Sequence, residues 1–250
     1  MHALVLSSGG VDSTTCLGIA VDKYGAENVS AVSIIYGQKH SREVDAAKKV
    51  AEYYGVAHYD LDLSEIFKYS NCSLLKQSTD EIPEGSYSEQ INKSETGVVS
   101  TFVPFRNGVM LSAVAALALS IYPGQETEIF IGAHADDAAG NAYPDCSKAF
   151  TDAMALAIDE GSDHKVHVVA PLVEWNKAQV VKKGLELDVP YHLTTSCYNG
   201  GQKACGVHCA TCMDRIAAFR ANGVIDPIKY AEPINWTGCK EIDYLRSIYD

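Results

Sequence analysis

The sequence predicts an α/β protein built on a doubly wound parallel sheet, and three observations carry that prediction. Short apolar or β-branched runs at 3–6, 29–36, 58–63, 128–133 and 166–170 alternate with longer helical patterns, which is the signature of right-handed βαβ units. The first run breaks into a glycine-rich turn and passes directly into a helix. The 250-residue chain is 47% hydrophobic, enough for one full core with a small appendage.

Residues 3–6 read as a buried parallel strand, because the run is short, apolar and bounded by a turn. A helix follows from Val11 to about Tyr24, with Gly25 as its C-cap. After the strand at 29–36, Ser41 is an N-cap for a helix that reaches Tyr54 and stops at Gly55. The stretch 64–99, with Pro83, Gly85 and many polar residues, reads as a long connection over the active-site side. A strongly apolar helix is expected at 109–122, further helices at 148–160 and 211–221, and one capped by Asn176 through Leu187. Residues 226–250 read as a tail.

Composition narrows the function. A net charge of -12 disfavours a large nucleic-acid surface and fits a small-molecule substrate better. No run of eighteen apolar residues exists, so no membrane span is expected. Neither is a signal peptide, because no basic stretch precedes a long apolar one. The eight cysteines are therefore read as reduced thiols or metal ligands, not disulfides.

The chemistry concentrates at strand ends, where open parallel sheets bind ligands. In Ser7-Ser8-Gly9-Gly10 the two glycines permit a sharp turn and close ligand approach. The free amides and dipole of the following helix favour an anion, and Ser8, Ser13 and Thr14 add hydroxyls. The turn has neither the lysine of a Walker loop nor the spacing of GxGxxG. Arg106 and Asn107 sit just before a helix and can face the same crevice. Asp136 and Asp137 are candidates for magnesium or for the amide-like edge of a heterocycle, and Lys177 for a polyphosphate. Cys197, Cys205, Cys209 and Cys212, spaced Cys-x7-Cys-x3-Cys-x2-Cys, can wrap one ion tetrahedrally. Four thiolates leave no open position, which marks a structural ion. His208 as a replacement ligand, and an iron–sulfur cluster, stay open on spacing alone.

Ser8-Gly9-Gly10-Val11-Asp12-Ser13 resembles the SGGxDS loop of the ATP pyrophosphatase (PP-loop) family. YGQKHSR (36–42), TFVPFRNG (101–108), YPDC (143–146), PLVEWNK (171–177) and SCYNG (196–200), with the cysteines that follow, extend the likeness. From Ala3 to about Arg220 the chain resembles the 7-cyano-7-deazaguanine synthase (QueC) family.

The resemblance implies a Rossmann-like sheet of PP-loop/HUP type at 1–190 and a small zinc-binding helical region at 191–250. It implies a ligase that converts 7-carboxy-7-deazaguanine and ammonia to the nitrile, splitting ATP to AMP and pyrophosphate, with Mg2+ and Zn2+. The nucleotide site would comprise Leu6, Ser7, Ser8, Gly9, Gly10, Val11, Asp12, Ser13, Thr14, Tyr36 and Gln38. Asp12, Ser13, Arg106 and Lys177 would be catalytic. Arg106, Asn107, Asp136, Tyr143 and Asp145 would bind substrate, and Cys197, Cys205, Cys209 and Cys212 zinc. A cytoplasmic homodimer with neither nucleic acid nor membrane as partner is the corresponding expectation. The competing readings are another adenylating ligase acting on a different carboxylate, a thiolating enzyme, which would need a basic RNA surface, and a non-enzymatic nucleotide-binding module.

Overall fold

The computed structural model describes residues 1–40, 42–94 and 97–244. Five parallel strands form one sheet: β1 (His2–Leu6), β2 (Val29–Ile35), β3 (Ala57–Asp62), β4 (Thr127–Phe130) and β5 (Val166–Val169). Their order is β3-β2-β1-β4-β5. The chain winds outward from β1 to β3 and then returns to pair β4 on the other side of β1. That reversal opens a crevice beyond the carboxyl ends of β1 and β4. The helices are α1 (Val11–Tyr24), α2 (Arg42–Tyr54), α3 (Ser64–Phe67), α4 (Tyr87–Lys93), α5 (Arg106–Ile121), α6 (Ala135–Ala138), α7 (Lys148–Gly161), α8 (Lys177–Glu186) and α9 (Ala210–Ala221).

Alternation along the strands splits the core into two halves. Leu4 and Leu6 point to one face and pack with Val32, Ile34, Leu111 and Val114. Ala3 and Val5 point to the other and pack with Leu17, Val180, Phe130 and Phe219. Helices therefore cover both faces, as the continuously apolar strands require.

Local signals in the sequence account for several boundaries. Gly25 takes φ +76° and donates to Val21 O at the end of α1. Asn176 caps α8 in a reciprocal pair with Gln179. The Ser41 cap lies outside the described residues. Three expectations change. First, α5 begins at Arg106 and not near 109, because Phe105 adopts φ +55° and starts the helix directly after itself. Arg106 and Asn107 therefore occupy its first turn. Second, β4 ends at Phe130, and Gly132 brings the chain against α1, where a Cβ would sit 3.1 Å from Ser13 N. Third, 64–99 is more ordered than a bare connection. It contains α3 and a capping-boxed α4, and it buries Phe67, Leu74, Leu75 and Val99 in the core.

The described part of 191–250 has a small cluster of its own, Ala204, Cys209 and Cys212 with Ile228 and Tyr230 against it, and also joins the main core. Tyr191, Phe219, Val224 and Ile242 pack with Val5 and Leu17. No helix among the described residues is long and apolar enough to cross a membrane.

Candidate active site

The crevice at the switch point is a cavity walled by the β1–α1 loop, the end of β2, the first turn of α5 and the segment around Thr195 to Tyr198. The two loop glycines do different work. Gly9 has φ +75°, and a Cβ there would lie 2.5 Å from Glu43 O and 2.6 Å from Ala47 N. Gly9 therefore exists so that α2 can pack on the loop. Gly10 faces the cavity, with Ser8 Oγ and Thr195 O as the nearest atoms to an added Cβ at 3.4 and 3.5 Å. It caps α1 without any side-chain cap, so the first amides of α1 stay free for an anion. Ser13 Oγ shapes the turn by accepting from Ser8 N at 3.2 Å and lying 3.1 Å from Ser8 Oγ. Thr195 N donates to Gly9 O at 2.9 Å, tying the C-terminal segment to the same loop.

Charged groups gather at the loop's end. Lys177 Nζ donates to Asp12 Oδ2 at 2.5 Å and lies 3.2 Å from His134 Nε2. His134, 1% exposed, also sits 3.3 Å from Asp137 Oδ2 and 3.7 Å from Asp12 Oδ1. Burial would raise the Asp12 carboxyl, but Lys177 and His134 outweigh it and hold it below the usual carboxylate range. Burial would likewise lower Lys177, but Asp12 and Asp137 hold it charged. Asp214 on α9 is pushed up to about 6 by burial and by Asp137 and Asp136, against the pull of Lys177. Asp12 Oδ1 and Ser7 Oγ are buried without a protein hydrogen-bond partner. Such orphaned acceptors at a cavity wall suit a cation and a ligand donor respectively.

The cavity wall also carries Arg106, 5.2 Å from the Tyr36 ring centroid, together with Glu43 and Tyr198. Tyr36 and its neighbours outweigh burial and hold Arg106 firmly protonated. Burial raises the Glu43 carboxyl, opposed by Arg106.

Several residues expected at the site are placed elsewhere. Val11 and Thr14 are buried beneath the loop, and neither lines the cavity. Asp136 turns away to accept from the Lys177 backbone N–H at 2.7 Å. Asp145 accepts from Asn107 N at 2.9 Å, and Tyr143 pairs its hydroxyl with Thr101 at 2.6 Å. Both sit behind the wall and not on it. Asn107 touches the cavity, but its amide donates to Asp145 O and Cys146 Sγ. Gln38 also lines it, with its Oε1 taken by Tyr36 N at 2.9 Å. Leu6, Ser7, Ser8, Gly10, Asp12, Ser13, Tyr36 and Arg106 all face the cavity.

Glu43, His134, Asp214, Thr195 and Tyr198 were not singled out from sequence. For Glu43 a signal existed, since a helix that follows a strand's carboxyl end opens beside the crevice. Asp214 and Thr195 carried none.

The ligand atoms of Cys197, Cys205, Cys209 and Cys212 lie within 4.8 Å of one another, and all are free thiols. Cys205 N donates to Cys197 Sγ at 3.3 Å, the kind of contact that supports a thiolate ligand. Burial and the contact with Cys209 raise the Cys205 thiol, and four sulfurs this close can be held together as thiolates by a cation among them. The set fits a tetrahedral metal ion. His208 is not part of it: its ring is half exposed and lies 3.6 and 3.7 Å from Glu84 and Glu232. The cluster is also nearer the cavity than a remote structural site would be, because Thr195, Ser196, Tyr198 and Thr211 bracket it and line the wall.

A parallel sheet with an SGGxDS loop at its switch point, backed by an aspartate–lysine pair, is the layout of the PP-loop ATP pyrophosphatase class. Residues 2–223 match the family described as Queuosine biosynthesis protein QueC. A 7-cyano-7-deazaguanine synthase from Caldicellulosiruptor saccharolyticus is 43% identical, over 94% of this chain and 98% of its own length. One from Archaeoglobus fulgidus is 40% identical, over 91% and 90%. The chain belongs to the QueC family. Among solved structures, an NMN synthetase from Francisella tularensis is 18% identical, with a TM-score of 0.47 over 81% of this chain and 69% of that one. The U34-tRNA thiolase NcsA from Methanococcus maripaludis gives 16%, a TM-score of 0.44, and 78% and 59%.

Proposed function

We propose that this protein converts 7-carboxy-7-deazaguanine and ammonia to 7-cyano-7-deazaguanine at the expense of ATP. The observation that supports it most is one cavity lined by a free helix N-terminus, by Asp12 with its Lys177 partner, and by Arg106. The helix N-terminus and Lys177 suit phosphates, and Arg106 suits a small anionic heterocycle. The net charge of -12 fits that substrate better than RNA.

The substrate carboxylate attacks the α-phosphorus of ATP, and pyrophosphate leaves. Ammonia then attacks the acyl carbon, AMP departs, one proton is released and an amide remains. A second ATP is attacked by the amide oxygen, pyrophosphate leaves again, and loss of AMP and of both nitrogen-bound protons gives the nitrile. In this reading the α1 amides, Ser8 and Ser13 would hold the phosphates and Lys177 would neutralise charge on them. Preorganised donors of this kind stabilise developing negative charge without reorganising. Asp12, with its orphaned Oδ1, would hold Mg2+, which supplies charge shielding to the phosphates. Cys197, Cys205, Cys209 and Cys212 would hold Zn2+, which fixes the wall-forming segment. Action as a cytoplasmic homodimer belongs to the same reading.

The test is acid-dependent release of AMP and pyrophosphate, with mass detection of the amide and nitrile. Turnover of ATP with no dependence on this acid would replace the proposal with a different carboxylate substrate.

A further inference from the structure

The cavity holds three acidic side chains, and two are already engaged: Asp12 pairs with Lys177, and Asp137 lies against His134. The third is Glu43, in the first turn of α2. Among the described residues no N–H or O–H donates to its carboxylate, and it forms no ion pair within 4.0 Å. Arg106 faces the same space and influences Glu43 electrostatically, yet the two do not close on one another. An unengaged acceptor and a cation, both partly buried and opening on one cavity, are a recognition pair awaiting a ligand edge.

The position is built by the fold. The absent side chain of Gly9 lets the α2 backbone at Glu43 and Ala47 rest on the phosphate loop. The Glu43 carboxylate is thereby held beside that loop, with Tyr36 and Tyr198 flanking Arg106. Asp136 and Asp145, the other carboxylates expected to read a heterocycle, each give one oxygen to a backbone N–H, and neither lines the cavity.

A guanine-type ring presents a carbonyl oxygen, a ring N–H and an exocyclic amine in a row: one acceptor followed by two donors. A carboxylate accepts both donors at once, and an adjacent guanidinium donates to the carbonyl. We propose that Glu43 is the specificity-determining residue that accepts the ring N–H and exocyclic amine of the deazaguanine substrate, with Arg106 donating to the neighbouring carbonyl. This rests on the function proposed above and assigns the substrate edge within it.

The experiment compares 7-carboxy-7-deazaguanine with its 2-deamino analogue, on wild type and on Glu43→Gln, by steady-state pyrophosphate release. Wild type should prefer the amino compound by about 10- to 100-fold in kcat/KM, the value of one bidentate pair. Glutamine replaces one acceptor oxygen with a donor. Glu43→Gln should therefore lose about that factor on the amino compound and discriminate between the two by less than about threefold, while KM for ATP stays within about twofold. Collapse of the discrimination with KM for ATP retained supports the assignment. It is overturned if Glu43→Gln discriminates like wild type. It is also overturned if wild type is indifferent to the missing amine, a result that does not depend on the variant folding. Wild type that leaves both acids untouched overturns the proposed function, and this assignment with it.

Discussion

Arg215 offers the sharpest test of how this fold holds its site. Its guanidinium is fully buried on α9 and grips Asp226 with two bonds, Nε to Oδ2 at 2.6 Å and Nη2 to Oδ1 at 2.9 Å. Its other donors reach Thr194 Oγ1 at 2.8 Å, Ser196 Oγ at 3.3 Å and Tyr191 O at 3.2 Å. Arg215→Met matches the volume and removes every bond. Among the described residues, Asp226 then keeps the Tyr230 hydroxyl at 2.6 Å and the Ile228 N–H at 3.3 Å. Stripping one partner from a buried pair costs about 3–5 kcal/mol. At roughly 2–4 °C per kcal/mol for a chain of this size, the melting temperature should fall by roughly 6–20 °C. Thr195 follows the gripped Thr194 and donates to Gly9 O, so KM for ATP should rise as well. The double variant Arg215→Met/Asp226→Leu removes the stranded charge and should recover most of the loss. Calorimetry on the three proteins decides it: a fall under about 2 °C for the single variant, or a double no better than the single, would refute the reasoning.

Asp214 predicts a pH effect. Because its folded pKa of about 6 lies above the unfolded value, the folded state binds that proton more tightly. Its contribution is full below about pH 4 and is lost as pH rises through about 6. Asp214→Asn should therefore melt about 2–8 °C higher than wild type at pH 8, allowing for solvent screening, and equally at pH 4. Asp12→Ala and Ser13→Ala should stay folded and lose nearly all turnover, measured with circular dichroism alongside pyrophosphate release; wild-type rates in either would take the loop out of the chemistry. Cys209→Ala should lose bound metal and stability, whereas Cys146→Ala, whose residue lines the cavity beside Asn107 and outside the cysteine cluster, should keep its metal by elemental analysis.

Local chemistry determined a good deal by itself. The β1–α1 loop, the parallel strands, the Gly25 and Asn176 caps and the grouping of four cysteines all rest on residues close in sequence. Backbone freedom, hydrogen-bond capping and ligand spacing are read over a few positions, so the order of residues is enough.

Tertiary structure decided which side chains meet. Asp136 and Asp137 are neighbours, yet one step of helical rotation sends the first to the Lys177 backbone and the second to His134. Whether Gly9 or Gly10 serves the ligand depends on α2 lying against the loop, thirty-odd residues downstream. Glu43 and Thr195 reach the cavity from α2 and from the segment ahead of the cysteines, and α9 brings Asp214 under the influence of Lys177, Asp137 and Asp136. No local pattern marks Thr195 or Asp214, because their positions follow from crossovers and core packing that bring distant strand ends and helix starts to one edge of the sheet.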